Sequence, residues 1–141
     1  MLSLKLHHIG YLVKKKKAQE AFLALGYTII EDWVHDEGRG IDISFLSKDG
    51  CCIELVCPFS KESIVSGLIA RLKNSPYHIC YISENMEQDL ETLRDQGYLP
   101  MTEPAGAPAL KGHPVVFLMH PSLGMIELID RDPGELPLHA G

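Results

Sequence analysis

Four side chains in this sequence have the types and the spacing to build a metal centre. A His-Ile-small-Tyr frame occurs at His8-Ile9-Gly10-Tyr11 and returns at His78-Ile79-Cys80-Tyr81, 70 residues later (78 − 8). Each copy is closed by an apolar stretch that carries one acid, Cys52-Ile53-Glu54-Leu55-Val56 in the first and Met125-Ile126-Glu127-Leu128-Ile129 in the second. The intervals are alike, 46 residues (54 − 8) and 49 residues (127 − 78). A lone histidine on a strand is more often packed or hydrogen-bonded than a ligand. A carboxylate on a buried face, however, is costly unless it is paired, hydrogen-bonded or coordinated. The two imidazoles and two carboxylates of His8, Glu54, His78 and Glu127 form an N/O set suited to one divalent ion (Zn, Ni, Co, Mn or Fe). Such a set leaves positions for water or substrate.

Other groups with chemistry to offer lie near this frame. Cys52 and Cys80 each stand two residues from a presumed ligand and share its strand face. They are expected to wall a pocket, with contact to substrate as the alternative. His7 falls on the opposite face from His8, and the second copy has Tyr77 at its position, so His7 is expected at the surface. His113 and His120 flank the last strand and are placed at a rim, with His120 a candidate substrate contact. His35 is expected at the surface, with proton transfer as its second reading, and His139 in solvent. Cys51, Cys52, Cys57 and Cys80 show no Cys-x-x-Cys spacing, so they are read as reduced thiols.

The elements that must position these groups repeat as well. Residues 4–13 alternate as a strand, with Leu4, Leu6, His8, Gly10 and Leu12 on one face. The spacing predicts a helix over 15–25, ended by Gly26. A strand over 27–34, a loop over 36–40, a strand from Ile41 and the Asp49-Gly50 hairpin signal lead into a strand over 51–57. Ser60 is expected to cap a connecting helix to about residue 72, and residues 74–76 to form a linker turn. The second copy repeats the order, with a strand over 77–83, a helix over 86–96 ended by Gly97 and a short strand over 98–101. A long irregular loop over 103–112 and a hairpin of 115–119 with 124–130 complete it. The plan is α+β: two β-α-β-β-β units, about 4–58 and 76–131, in one domain spanning 1–141. The tail, 132–141, is expected to fray.

Composition narrows the function classes. At 141 residues, 45% apolar and 23% charged, the chain suits one globular domain. A net charge of −6 argues against nucleic acid as a partner. No apolar run approaches the ~20 residues of a membrane span. The first residues lack a signal-peptide core, so the chain is read as cytoplasmic. Lys14 to Lys17 form a basic island, read as a solvated first turn or, alternatively, as a contact for an anionic substrate tail.

The doubled plan with His8, Glu54, His78 and Glu127 resembles the vicinal oxygen chelate superfamily, from about Lys5 to Arg131. The resemblance implies a cupped, barrel-like mixed sheet with helices outside, around one divalent metal held by those four residues. It also implies an enolising enzyme acting on a small α-carbonyl compound or a CoA thioester, with Glu127 as the base. A homodimer is expected, the site lying within one chain or across a swapped pair.

Leu6-His7-His8-Ile9-Gly10, Ile53-Glu54-Leu55 with Pro58, Glu103-Pro104-Ala105-Gly106 and Phe117-Leu118-Met119-His120-Pro121 are similar to the methylmalonyl-CoA epimerase branch. Glyoxalase I instead carries a Phe-Tyr pair where this helix has Glu20-Ala21-Phe22-Leu23. One departure concerns the epimerase's second carboxylate, two residues before the glycine that opens its third strand. With Gly40 as that glycine, the position holds Gly38, and Glu37 is the substitute proposed as the second catalytic acid. The alternatives are a glyoxalase I-like lyase and a metal-free, antibiotic-binding protein of the same fold.

Overall fold

The computed structural model describes residues 2, 4–63 and 65–131; the tail from Asp132, with His139, lies outside them. In order, the elements are β1 (Leu4–Leu12), α1 (Ala18–Ala24), β2 (Thr28–Asp36), β3 (Ile41–Lys48), β4 (Cys51–Pro58), α2 (Ser66–Leu72), β5 (Ser75–Ser83), α3 (Met86–Asp95), β6 (Leu99–Pro100), β7 (Ala105–Gly106), a 3-10 turn (Pro108–Leu110), β8 (Pro114–His120) and β9 (Gly124–Asp130). Two compact units divide the described residues within β1: Ile9–Tyr77 is one, and the residues up to His8 join residues 78–131 in the other. No helix among the described residues is long and apolar enough to cross a membrane.

The Ile9–Tyr77 unit orders its strands β2-β3-β4-β1. β3 and β4 form an antiparallel hairpin. Its Asp49-Gly50 turn has both residues at positive φ, 52° and 81°, as a type I′ turn requires. β4 then pairs in parallel with β1. In the other unit β9 pairs in parallel with β5 and antiparallel with β8, whose far edge takes the short strands β6 and β7. Mixed sheets with helices make the fold α+β.

The register repeats. Counted from each histidine, the residue two positions on lies opposite the glutamate: Gly10 opposite Glu54, and Cys80 opposite Glu127. On the other side of each glutamate stands a phenylalanine, Phe45 beside Glu54 and Phe117 beside Glu127.

Strand alternation gives each sheet one oily face. In the first unit Ile53, Leu55 and Cys57 pack with Val13 and Leu46 against Phe22 and Tyr27. In the second, Val116, Leu118, Ile126 and Leu128 pack against Met86, Leu90 and Leu93 of α3. Glu54 and Glu127 alternate with these core residues and so face away from them.

Several element ends differ from the sequence pattern. α1 starts at Ala18 because residues 15–17 hold i→i−3 bonds (Ala18 to Lys15, Gln19 to Lys16) rather than α-helical ones. Four consecutive lysines repel, and no side chain caps the helix. α2 starts at Ser66, not Ser60, whose hydroxyl accepts from the Glu62 amide and closes a turn. β5 begins at Ser75, inside the expected linker turn. β6 is short, Leu99–Pro100, with one further backbone bond from the Met101 amide to the Phe117 carbonyl. The 103–112 loop carries β7 and the 3-10 turn. Leu6 is 63% exposed and does not share the buried face assigned to it.

Candidate metal centre

β5 and β9, side by side, carry His78 and Glu127, and β1 ends its first stretch at His8. The three side chains converge. His8 Nε2 lies 3.3 Å from His78 Nε2 and 3.3 Å from Glu127 Oε1, and His78 Nε2 lies 3.1 Å from the same oxygen. All three residues are buried. Donors held on one ion at metal-ligand distance stand about 3.0 Å apart at a right angle and about 3.4 Å apart at the tetrahedral angle. The observed spacings fall in that window, so the donors fit a small divalent cation both in chemistry and in separation.

Burial pushes the Glu127 carboxyl up, but its contacts with His78 first, then with His8, outweigh it and hold the carboxyl well below the usual range. Glu127 is therefore ionised at neutral pH. Phe117 meets the His78 ring edge-on, centroids 5.3 Å apart, and limits its rotation.

Glu54 is buried on β4 between Gly10 and Phe45, the same setting Glu127 has between Cys80 and Phe117. Cys52 and Cys80 are buried as well. Burial, then the charge of Glu54, pushes the Cys52 thiol up to about 12, which keeps it protonated and poorly nucleophilic.

Three histidines stand elsewhere than expected. His7 is buried, and its Nδ1 lies 2.7 Å from Nδ1 of His8. His120 stands opposite Gly124, three residues from the Phe117–Glu127 pair. An odd offset puts it on the face opposite Glu127, where its ring lies 4.4 Å from Tyr98 and its Nδ1 accepts from the Ser122 amide. Its face is therefore the one away from Glu127. His113, expected at a rim, is largely buried and donates from Nδ1 to the Asp130 carbonyl.

A family model described as the glyoxalase/bleomycin resistance protein/dioxygenase superfamily matches residues 7–117. The chain belongs to that superfamily. Solved structures carry the same superfamily fold. A hypothetical protein of Bacillus halodurans C-125 aligns with a TM-score of 0.79 at 24% identity, covering 96% of this chain and 99% of that one. Methylmalonyl-CoA epimerase from Mycobacterium tuberculosis aligns at 0.75 and 20% identity, covering 91% and 88%. A variant of the Streptomyces coelicolor epimerase in complex with 2-nitronate-propionyl-CoA aligns at 0.76 and 22%, covering 97% and 100%. No curated protein matches by sequence.

The loop before β3 carries the acids Asp36 and Glu37. Asp36 is buried and tied to Arg39, accepting from its guanidinium at 2.9 Å and its amide at 3.1 Å. It closes the loop and is spoken for. Glu37 is exposed and hydrogen-bonds His35 Nε2, while His35 Nδ1 contacts Asp42 at 2.6 Å and its ring stacks on Phe59. The bond to Asp42, then that to Glu37, raises the His35 pKa above its ordinary value. Lys16 of the basic island is engaged with Asp42 and lies over Trp33. Sequence reasoning saw no place for Asp42 or Phe59; only the strand pairing of His35 with Asp42 brings that group together.

Proposed function

We propose that this chain is a metal-dependent isomerase that removes and returns a proton on a carbon next to a carbonyl, with methylmalonyl-CoA the first substrate to test. The observation that carries the reading is the buried triangle of His8, His78 and Glu127 at 3.1–3.3 Å. Glu54 is the fourth donor in this reading, because its register repeats that of Glu127. A divalent ion bound there supplies Lewis acidity, stabilising charge on the carbonyl oxygen as the neighbouring carbon loses its proton.

The protein's own groups do the rest. The contact with His78 holds Glu127 in place and ionised, the form that accepts a proton. Buried Cys80, on the strand beside Glu127, limits the water that reaches the carboxylate, which strengthens its electrostatic contacts. Epimerisation also needs a group to deliver a proton to the opposite face. Glu37, sharing a proton with His35, is the proposed second acid in place of the missing carboxylate at Gly38. The epimerase neighbours, one of them bound to a propionyl-CoA analogue, support a CoA thioester as substrate class.

The test is incubation with methylmalonyl-CoA in heavy water, following deuterium at the α-carbon with and without a chelator. Chelator-sensitive exchange with interconversion of epimers is the expected result. Exchange without epimer interconversion would point to single-face proton transfer, as in a glyoxalase-type isomerase, and remove Glu37 from the mechanism. No exchange by metal-loaded protein would overturn the substrate.

A further inference from the structure

We infer that His7 is a positioning residue: it accepts the Nδ1 proton of His8 and so turns the bare Nε2 of His8 toward the metal. The inference rests on the metal-centre reading above. His7 and His8 are both buried, their Nδ1 atoms are 2.7 Å apart, and their rings meet at 77° with centroids 5.0 Å apart. At that distance one nitrogen carries a hydrogen and the other does not.

The two arrangements have opposite consequences. If His7 donates, neutral His8 holds its proton on Nε2, aimed into the space shared with His78 Nε2 and Glu127 Oε1. A cation cannot be bound there without first expelling it. If His8 donates, its Nε2 lone pair faces that space, and the ring is fixed in the tautomer a metal ligand needs. His7 then carries its own proton on Nε2. A ligating histidine is oriented through its second nitrogen, usually by a carboxylate or carbonyl; here the adjacent residue in the chain supplies the acceptor.

A competing use of the same atoms exists. Donor atoms of His7, His8 and Cys80 lie within 4.8 Å of one another, a set that would bind a softer ion directly. The two uses are separable by spectroscopy.

Three readings on the full chain decide the matter. Nitrogen-15 spectra of metal-free protein should show His7 protonated at Nε2 and bare at Nδ1, with His8 protonated at Nδ1; the reverse assignment overturns the inference. Competition with a chromophoric chelator should find cobalt or zinc held about 10–100-fold more weakly by His7→Leu than by wild type. His7→Gln, whose side-chain oxygen still accepts, should recover most of that loss, and it serves as the informative variant where His7→Leu does not fold. Equal affinity in wild type and His7→Leu, or no recovery by His7→Gln, overturns it. In cobalt-loaded wild type, a thiolate-to-cobalt absorption band would place a cysteine on the metal, as the His7, His8 and Cys80 set requires, and also overturn it. Wild type that retains no ion sinks the metal-centre reading, while the tautomer assignment still decides the role of His7.

Discussion

The two units share a plan but hold their helices differently. α3 has ten residues, buries Met86, Leu90 and Leu93, and is capped by Asn85, whose side chain accepts from the Gln88 amide. Buried Asp89 also accepts from the Ser83 hydroxyl at 2.6 Å, tying the helix to the end of β5. α1 has seven residues, no side-chain cap and no fully buried residue. The unit that carries His78 and Glu127 therefore has the better-anchored helix behind its sheet. The Ile9–Tyr77 unit has instead two long strands, β2 and β3, bearing the His35-Asp42-Glu37 group at one end. One copy is built for rigidity beneath a buried cluster, and the other presents titrating groups at its surface. A duplicated fold allows this division, because each copy keeps only its core pattern in common with the other.

Substitutions can break or sharpen that comparison. The largest effect is expected at Glu127: Glu127→Gln should lower α-proton exchange by about 10²–10⁴-fold, measured by deuterium incorporation. Glu54→Gln should weaken metal retention in a chelator competition, since its register is the same; unchanged retention would make the repeat structural only. In the cores, Leu118→Ala and Leu55→Ala, both at 0% exposure, should each cost about 2–5 kcal/mol in denaturant unfolding.

The helix caps should separate the units. Asn85→Ala is expected to cost about 1 kcal/mol and to speed amide exchange in α3, whereas α1 should exchange fast already. Gly38→Glu should be tolerated: its backbone is not left-handed, and an added Cβ would stand 3.7 Å from Asp36. If Glu37 is a makeshift acid, this variant should raise the epimerisation rate.

The smallest effect is at His35. Because its folded pKa lies above the ordinary 6.5, its contribution to stability is complete below that value and is lost as pH rises through the folded pKa. The melting temperatures of wild type and His35→Gln should converge at alkaline pH, by a small amount given the exposure of the pair.

Much of the fold could be read from the residues. The repeated histidine frame, the Asp49-Gly50 turn and the helix stops at Gly26 and Gly97, with φ of 101° and 96°, all correspond to local physics. The triangle of His8, His78 and Glu127 was legible because the same frame occurs twice. What stayed hidden depends on contacts between distant residues or on departures from regular geometry. Alternation assigned His7 to the surface, but period-two spacing does not reveal what packs over a residue, and His7 is buried. His120 was placed at a rim because only the β8–β9 register reveals its parity. Ser60 offered the right side chain for a helix cap, but its hydroxyl closed a turn six residues early. Lys16 looked like a solvated charge until the fold brought Asp42 to it.

The central claim is a single metal held by His8 and His78 together with carboxylate oxygen. X-ray absorption at the metal edge of cobalt- or zinc-loaded protein tests it most directly. The account predicts one ion per chain with nitrogen and oxygen neighbours, two of them imidazole, and loss of the ion in His78→Ala. A sulfur neighbour, or stoichiometric binding that survives His78→Ala, would contradict it.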